Sequence, residues 1–258
     1  MSSLCLATPR LTSLEGMTEK KIALVTGANK GIGKEIARQL GEAGFAVLVG
    51  SRDLARGEVT AKELVADGLD AAAVQLEVTD ERSVQAAAEV IEREYGRLDV
   101  IVNNAAIIPV GDDAVSRVGS DVLREAFETN VIGLVGTTRA MLPLLRKAES
   151  ARIVNLSTSL ASFSQVGDPE SRMSTVLTLG YNSSKAAVNM VTVMLANELR
   201  GSGILVNAAD PGKCATDMGG WDAARTPAQG AAVAVRLATL GADGPTGEVH
   251  AEDGRLAW

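Results

Sequence analysis

Ile22-Ala23-Leu24-Val25-Thr26-Gly27-Ala28-Asn29-Lys30-Gly31-Ile32-Gly33 is the stretch that decides the fold. Ile22–Val25 is a continuous apolar run and reads as a buried strand. Small residues from Gly27 to Gly33 follow at once, and an amphipathic stretch then runs to about Leu40. In a strand, glycine loop and helix so ordered, backbone N–H groups and a helix N-terminus can approach a pyrophosphate. The segment therefore predicts a dinucleotide-binding turn, with a bare βα turn as the plain alternative. A P-loop is excluded, because Gly33-Lys34 is followed by Glu35 where Ser or Thr is required.

Outward from this loop the same alternation continues. Strands are expected at Ala46–Gly50, Ala73–Val78, Val100–Asn103, Arg152–Leu156, Ile204–Ala208 and Glu248–Val249. Helices are expected at Leu54–Ala66, from Asp80 to Tyr95, at Asp121–Glu128, Val131–Lys147, Tyr181–Arg200 and Pro227–Leu240. Asp53 and Asp80 are the expected N-caps. Short apolar strands separated by helices mean βαβ units. The fold class is α/β: a single Rossmann-type doubly wound domain, with a mostly parallel sheet of about seven strands and helices on both faces. Ligands of such sheets bind at the carboxyl ends of the strands.

Composition narrows the chemistry. The chain has 258 residues, a net charge of -7, two cysteines and one histidine. His250 has no His or Cys neighbour, so no metal site is expected and histidine catalysis is disfavoured. Cys5 and Cys214 cannot build a disulfide framework, which points to a reducing, cytoplasmic setting. The acidic balance argues against nucleic-acid binding. No apolar run has the length of a membrane span, so no membrane role is expected. Residues 1–16 lack a signal-peptide pattern and read as a loose extension ahead of Met17, with one domain over 17–258.

The end of the second strand speaks to the dinucleotide. An acidic residue there would bind the ribose hydroxyls of NAD. Gly50-Ser51-Arg52 stands there instead. Arg52, with Lys30, offers charge-assisted hydrogen bonds to a 2′-phosphate, which implies NADP(H). The alternative is a solvated charge at a helix start. Farther on, Tyr181 and Lys185 are spaced to share one helix face. An ammonium beside a phenol favours the phenolate and is expected to lower its pKa, making a usable acid or base. By itself the pair is also compatible with a surface helix.

Taken in order, these motifs resemble the short-chain dehydrogenase/reductase family over about residues 20–250. They are Thr26-Gly-x-x-x-Gly-x-Gly33, Asn103-Asn104-Ala105-Ala106, Asn130, Val154-Asn155-Leu156-Ser157-Thr158, Tyr181-x-x-x-Lys185 and Pro211-Gly212. Asn29–Gly33, Ser51-Arg52-Asp53 and Trp258 resemble the carbonyl reductases of that family.

The resemblance implies NADPH-dependent reduction of an uncharged ketone, aldehyde or quinone. The alternatives are the oxidative direction, or a non-catalytic NADPH-binding regulator. It implies that Tyr181 protonates the alkoxide and that Lys185 holds the nicotinamide ribose. Asn130 would order a water leading from Lys185 to solvent. Thr158 would bond the substrate oxygen, with Ser157 and Ser159 as alternatives. The implied cofactor contacts are Gly27, Asn29, Lys30, Gly31, Ile32, Gly33, Arg52, Glu77, Val78, Asn104, Ala105, Tyr181, Lys185, Pro211, Gly212, Cys214 and Thr216. Asn103 and Ala105 would line the adenosine side and stabilise the central strand, and Cys214 would pack rather than react. The substrate would meet Thr158, Ser159, Tyr181 and Trp221, within walls at Ile107–Val110, Ser159–Gln165 and Lys213–Trp221. Glu77 stands where the family has aspartate, and Ala106 where it has glycine. An insertion around Val166–Leu179 is expected to shape the substrate mouth or weaken oligomerisation, giving a monomer or small homo-oligomer.

Overall fold

A computed structural model describes residues 20–258. The expected extension over residues 1–16 lies outside them. The strands are β1 (Ile22–Thr26), β2 (Ala46–Ser51), β3 (Ala71–Gln75), β4 (Val100–Asn103), β5 (Arg152–Leu156), β6 (Leu205–Ala209), β7 (Val249–Ala251) and β8 (Gly254–Leu256). The helices are α1 (Gly31–Glu42), α2 (Leu54–Ala66), α3 (Glu81–Tyr95), α4 (Ser120–Phe127), α5 (Leu134–Leu145), the single turn α6 (Phe163–Val166), α7 (Leu179–Glu198) and α8 (Pro227–Ala238). One sheet holds every strand, in the order β3-β2-β1-β4-β5-β6-β7-β8. β1 to β7 pair in parallel, and β8 returns antiparallel to β7.

Alternation along the strands builds a core on each face. Ile22 and Leu24 of β1 pack with Val84, Ile91, Met141 and Leu145 of α3 and α5. Ala23 and Val25 pack with Ile36, Leu40, Leu64 and Leu237 of α1, α2 and α8. Coverage on both faces is why β1, β2 and β5 are buried along their whole length. Each fully buried Leu or Ile contributes roughly 1.5–3 kcal/mol relative to an exposed one.

Several boundaries differ from expectation, each for a physical reason. β3 runs Ala71–Gln75 rather than Ala73–Val78. Ala71–Ala73 pair with Val47–Val49, so the β2 template overrides the weak strand propensity of alanine. Glu77 and Val78 consequently lie in the loop that leaves the sheet. An eighth strand exists because a turn at Glu252-Asp253 folds the chain back as β8. Between α4 and α5 the helix widens into a π-helical segment, Glu128–Gly133. Pro143 sits within α5, close to its end. Asp53 and Asp80 cap α2 and α3 as expected, accepting from Arg56 N at 3.2 Å and Arg82 N at 3.0 Å.

Because β1 lies between β2 and β4, the chain reverses its winding there. The switch point opens a crevice at the carboxyl ends of the strands, where the motif loops converge. Among the described residues, no helix is long and apolar enough to cross a membrane.

Candidate active site

A cleft of ≈ 850 Å³ occupies this crevice. Its walls are the glycine loop, the end of β2, the loops after β3 and β4, Leu156 and Ser157 at the end of β5, Tyr181 and Lys185 of α7, and the loop after β6. A groove of ≈ 580 Å³ between α3 and α5 shares only Val78 with this cleft.

The glycine loop is stitched to the loop after β4. Thr26 Oγ1 accepts from Asn104 N (3.0 Å) and Ala105 N (2.9 Å). Asn104 Nδ2 donates back to Thr26 O (2.8 Å) and Gly27 O (3.2 Å). This close approach demands glycine. Gly27 has φ 63, and a Cβ on Gly33 would stand 2.5 Å from Asn104 Nδ2 and 2.6 Å from Gly27 O. α1 opens here with no side-chain cap and no acidic residue in its first turn, whereas α2, α3 and α8 are capped by Asp53, Asp80 and Thr226. Uncapped N–H groups at Gly31, Ile32 and Gly33, on a cleft wall, suit an anion. These residues fit a dinucleotide phosphate.

The charges at the β2 end divide differently from expectation. Lys30 Nζ pairs with Asp217 Oδ2 at 2.6 Å and is thus tied to the loop after β6. Asn29 is held through its carbonyl, which accepts from Thr60 Oγ1 at 3.1 Å. Asp53 turns to α2, where it also pairs with Arg56 at 3.3 Å. Arg52 is exposed on the cleft, with no ion-pair partner among the described residues. Glu77 Oε1 accepts from Thr79 N (3.2 Å) and Thr79 Oγ1 (3.0 Å), so part of its carboxylate is spent on its own loop. Val78 is buried at the cleft wall beside it.

Asn103 does not line the cleft. It is buried, and its Nδ2 donates to Thr138 Oγ1 and Asn155 Oδ1, each at 2.9 Å. Asn155 Nδ2 in turn donates to Thr192 Oγ1 at 2.9 Å. The chain of amides locks β4, β5, α5 and α7 together, each bond contributing about 1 kcal/mol net. Asn130 is also fully buried. Its Oδ1 accepts from Ile107 N (2.8 Å), and its Nδ2 donates to Ile107 O (3.0 Å) and Ser184 Oγ (2.9 Å). Both side-chain hydrogen atoms are thus engaged, and Oδ1 keeps one acceptor position.

α7 presents Tyr181, Ser184, Lys185, Val188 and Thr192 as one buried stripe at helical spacing. Lys185 Nζ donates to Leu156 O at 2.7 Å and lies 5.8 Å from the centre of the Tyr181 ring. The expected lowering of the phenol pKa is reversed. Burial and then the nearby Asp210 charge raise Tyr181 well above the usual phenol range, while burial lowers Lys185 to about 8. Spacing alone misses this, because desolvation acts on both groups and pulls each toward its neutral form.

Three hydroxyls follow β5. Ser157 Oγ is buried and donates to Asn189 Oδ1 at 2.6 Å. Ser159 binds Asp210 Oδ2 through its N (2.8 Å) and its Oγ. Thr158 Oγ1 accepts from Leu160 N at 3.2 Å, and its own proton has no acceptor among the described residues. Of the three, Ser157 lines the cleft, and neither Thr158, Ser159 nor the rest of the expected wall to Gln165 does. Asp210 is a residue that sequence reasoning missed. It is buried directly before Pro211-Gly212 and also accepts from Gly212 N at 2.8 Å.

In the loop after β6, Pro211, Ala215, Thr216, Asp217 and Met218 reach the cleft, but Gly212 and Cys214 do not. Cys214 is buried with Sγ toward Pro211 O (3.4 Å) and Gly212 O (3.6 Å), and burial pushes its thiol up, as suits a packing residue. Trp221, 75% exposed, stands at the mouth with Ile108 and Met218. His250 lies in β7, 3.0 Å from Glu248, away from the cleft.

The sequence profile described as short chain dehydrogenase matches residues 21–225, which hold the glycine loop, the crevice and the Tyr181–Lys185 pair. The chain belongs to the short-chain dehydrogenase family. It is 35% identical over 229 residues to the short-chain dehydrogenase anuI of Penicillium roqueforti, covering 86% of this chain and 90% of that one. Carbonyl reductase (NADPH) 1 of Bos taurus is 33% identical over 277 residues, covering 92% of this chain and 98% of that one. The NADPH-bound carbonyl reductase from chicken fatty liver superposes with a TM-score of 0.81 at 29% identity, over 93% of this short-chain dehydrogenase and 100% of that chain.

Proposed function

We propose that this short-chain dehydrogenase uses NADPH to reduce an uncharged ketone, aldehyde or quinone to the alcohol, with Tyr181 as proton donor. The observation that carries the reading is the buried Tyr181–Lys185 pair on the wall of a cleft that also bears the unpaired Arg52. The names of the bovine relative and of the avian structure, both NADPH carbonyl reductases, support it.

When bound, NADPH supplies the hydride. Arg52 binds the 2′-phosphate, and the open N–H groups of α1 bind the pyrophosphate. An ammonium has three donors and Lys185 spends one on Leu156, leaving the others for the nicotinamide ribose. Thr158 donates its free O–H to the substrate oxygen. Tyr181 then gives its phenol proton to that oxygen as charge develops. Its raised pKa keeps the phenol protonated at neutral pH, as a proton donor requires. Asn130 would order the water that leads from Lys185 to solvent.

Substrate polarity follows from where the charges sit. Ile107, Ile108, Met218 and Trp221 are apolar, while Lys30, Lys34, Arg52 and Arg56 belong to the glycine loop, α1, the β2 end and α2. Asp210, buried behind Ser159, would repel an anion. A reducing, cytoplasmic setting accords with the cysteine content, Cys214 being a free thiol. NADPH consumption over a panel of carbonyl compounds tests the reading. Turnover of neutral ketones, aldehydes or quinones is expected. Turnover confined to anionic carbonyls would overturn it.

A further inference from the structure

α7 carries both Tyr181 and Lys185, yet it has no cap of its own. Thr178 precedes it, but its hydroxyl bonds Asn182 Oδ1 at 3.0 Å rather than a first-turn N–H. The first-turn donors are met from far away in sequence. Asp112 Oδ1 accepts from Gly180 N and Asp112 Oδ2 from Tyr181 N, both at 2.7 Å. The carbonyl of Asp113 accepts from Leu179 N at 3.2 Å.

The fit is close on both sides. A Cβ on Gly180 would stand 3.2 Å from each Asp112 oxygen, so α7 opens with a glycine where the carboxylate comes near. Asp112 lies in the loop after β4, four residues beyond the cleft-lining Ile108 and five beyond Ile107, whose backbone is gripped by Asn130. The loop is therefore anchored at Ile107 to the π-helical segment and at Asp112 to the amide of Tyr181 itself. An anion at a helix N-terminus adds a favourable dipole interaction to these bonds.

We propose that Asp112 is a positioning residue for Tyr181, fixing the first turn of α7 and joining it to the loop that faces the substrate. The proposal rests on the reading of Tyr181 as proton donor. Small displacements of a catalytic group are costly, so Asp112→Ala should slow single-turnover hydride transfer about 10- to 100-fold. NADPH affinity should stay unchanged, because Asp112 lies outside the cofactor contacts. Asp112→Asn keeps one acceptor oxygen and should recover part of the rate. Asp113→Asn is the neighbouring control. Its side chain pairs with the exposed Arg117 at 2.6 Å, and the variant should behave as wild type.

The experiment measures single-turnover rate and NADPH dissociation constant for these variants and for Tyr181→Phe, with circular dichroism confirming the fold. If Asp112→Ala fails to fold, Asp112→Asn carries the test with a smaller expected loss. A wild-type rate in the folded Asp112 variants, with Tyr181→Phe inactive, overturns this proposal alone. A loss of NADPH affinity parallel to the loss of rate also overturns it, since that marks general loosening. A wild-type rate in Tyr181→Phe overturns the reading of Tyr181 and this proposal with it.

Discussion

Lys185 Nζ is anchored to the carbonyl of Leu156 at 2.7 Å and meets Tyr181 over the ring, 5.8 Å from its centre. That separation is at the long end for a cation–π contact. Both side chains rise from α7, the lysine head is tied to the end of β5, and burial drives both toward neutrality.

The first prediction concerns stability against pH. Burial brings Lys185 to about 8 from its ordinary 10.5. Between those values the unfolded chain keeps a proton that the folded chain has released, so this group makes stability rise with pH there. Below about 8 the burial penalty is fully present. Lys185→Met removes the group and its slope. Between pH 7 and 10, the stability of wild type relative to the variant should rise by roughly 2–3 kcal/mol in chemical denaturation. Tyr181, being raised, acts with opposite sign only above its ordinary 10. Parallel curves for the two proteins would contradict the assignment.

The hydroxyls after β5 separate by their partners. Thr158→Val removes the one free O–H and should lower kcat about 100-fold or more, while Thr158→Ser should retain most activity. Ser157→Ala should instead cost stability, about 1–3 kcal/mol, by stranding Asn189 Oδ1. Its rate per folded molecule should stay near wild type. Steady-state kinetics with thermal melts of the same samples distinguish the roles.

Cofactor choice should rest on Arg52. Arg52→Asp is expected to shift kcat/KM preference from NADPH toward NADH by about 10- to 100-fold, the loss of a charge-assisted bond. Lys30→Ala should shift it much less, because Lys30 already pairs with Asp217. An equal effect from both would return Lys30 to the phosphate site.

Much of this architecture was legible in local sequence. The strand–glycine–helix segment at Ile22–Leu40, the caps Asp53 and Asp80, and the face shared by Tyr181 and Lys185 all follow from short-range rules. What was hidden depends on distant partners. Ala71–Ala73 join the sheet only because β2 is beside them. Asn103 and Asn104 are neighbours, yet the first ends β4 within the amide network and the second opens the loop that bonds the glycine loop. Asp112 reaches Tyr181 N across 69 positions, and Asp210 reaches Ser159 across 51. The pKa reversal at Tyr181 comes from burial, which residue spacing does not encode.

The most direct test of the central claim is the single-turnover oxidation of NADPH by Tyr181→Phe, with a neutral carbonyl substrate found in the panel. Phe keeps the buried ring and removes only the proton-donating O–H. A rate lower by about 100-fold or more, with NADPH affinity intact, is predicted for loss of a general acid. A wild-type rate would contradict the account.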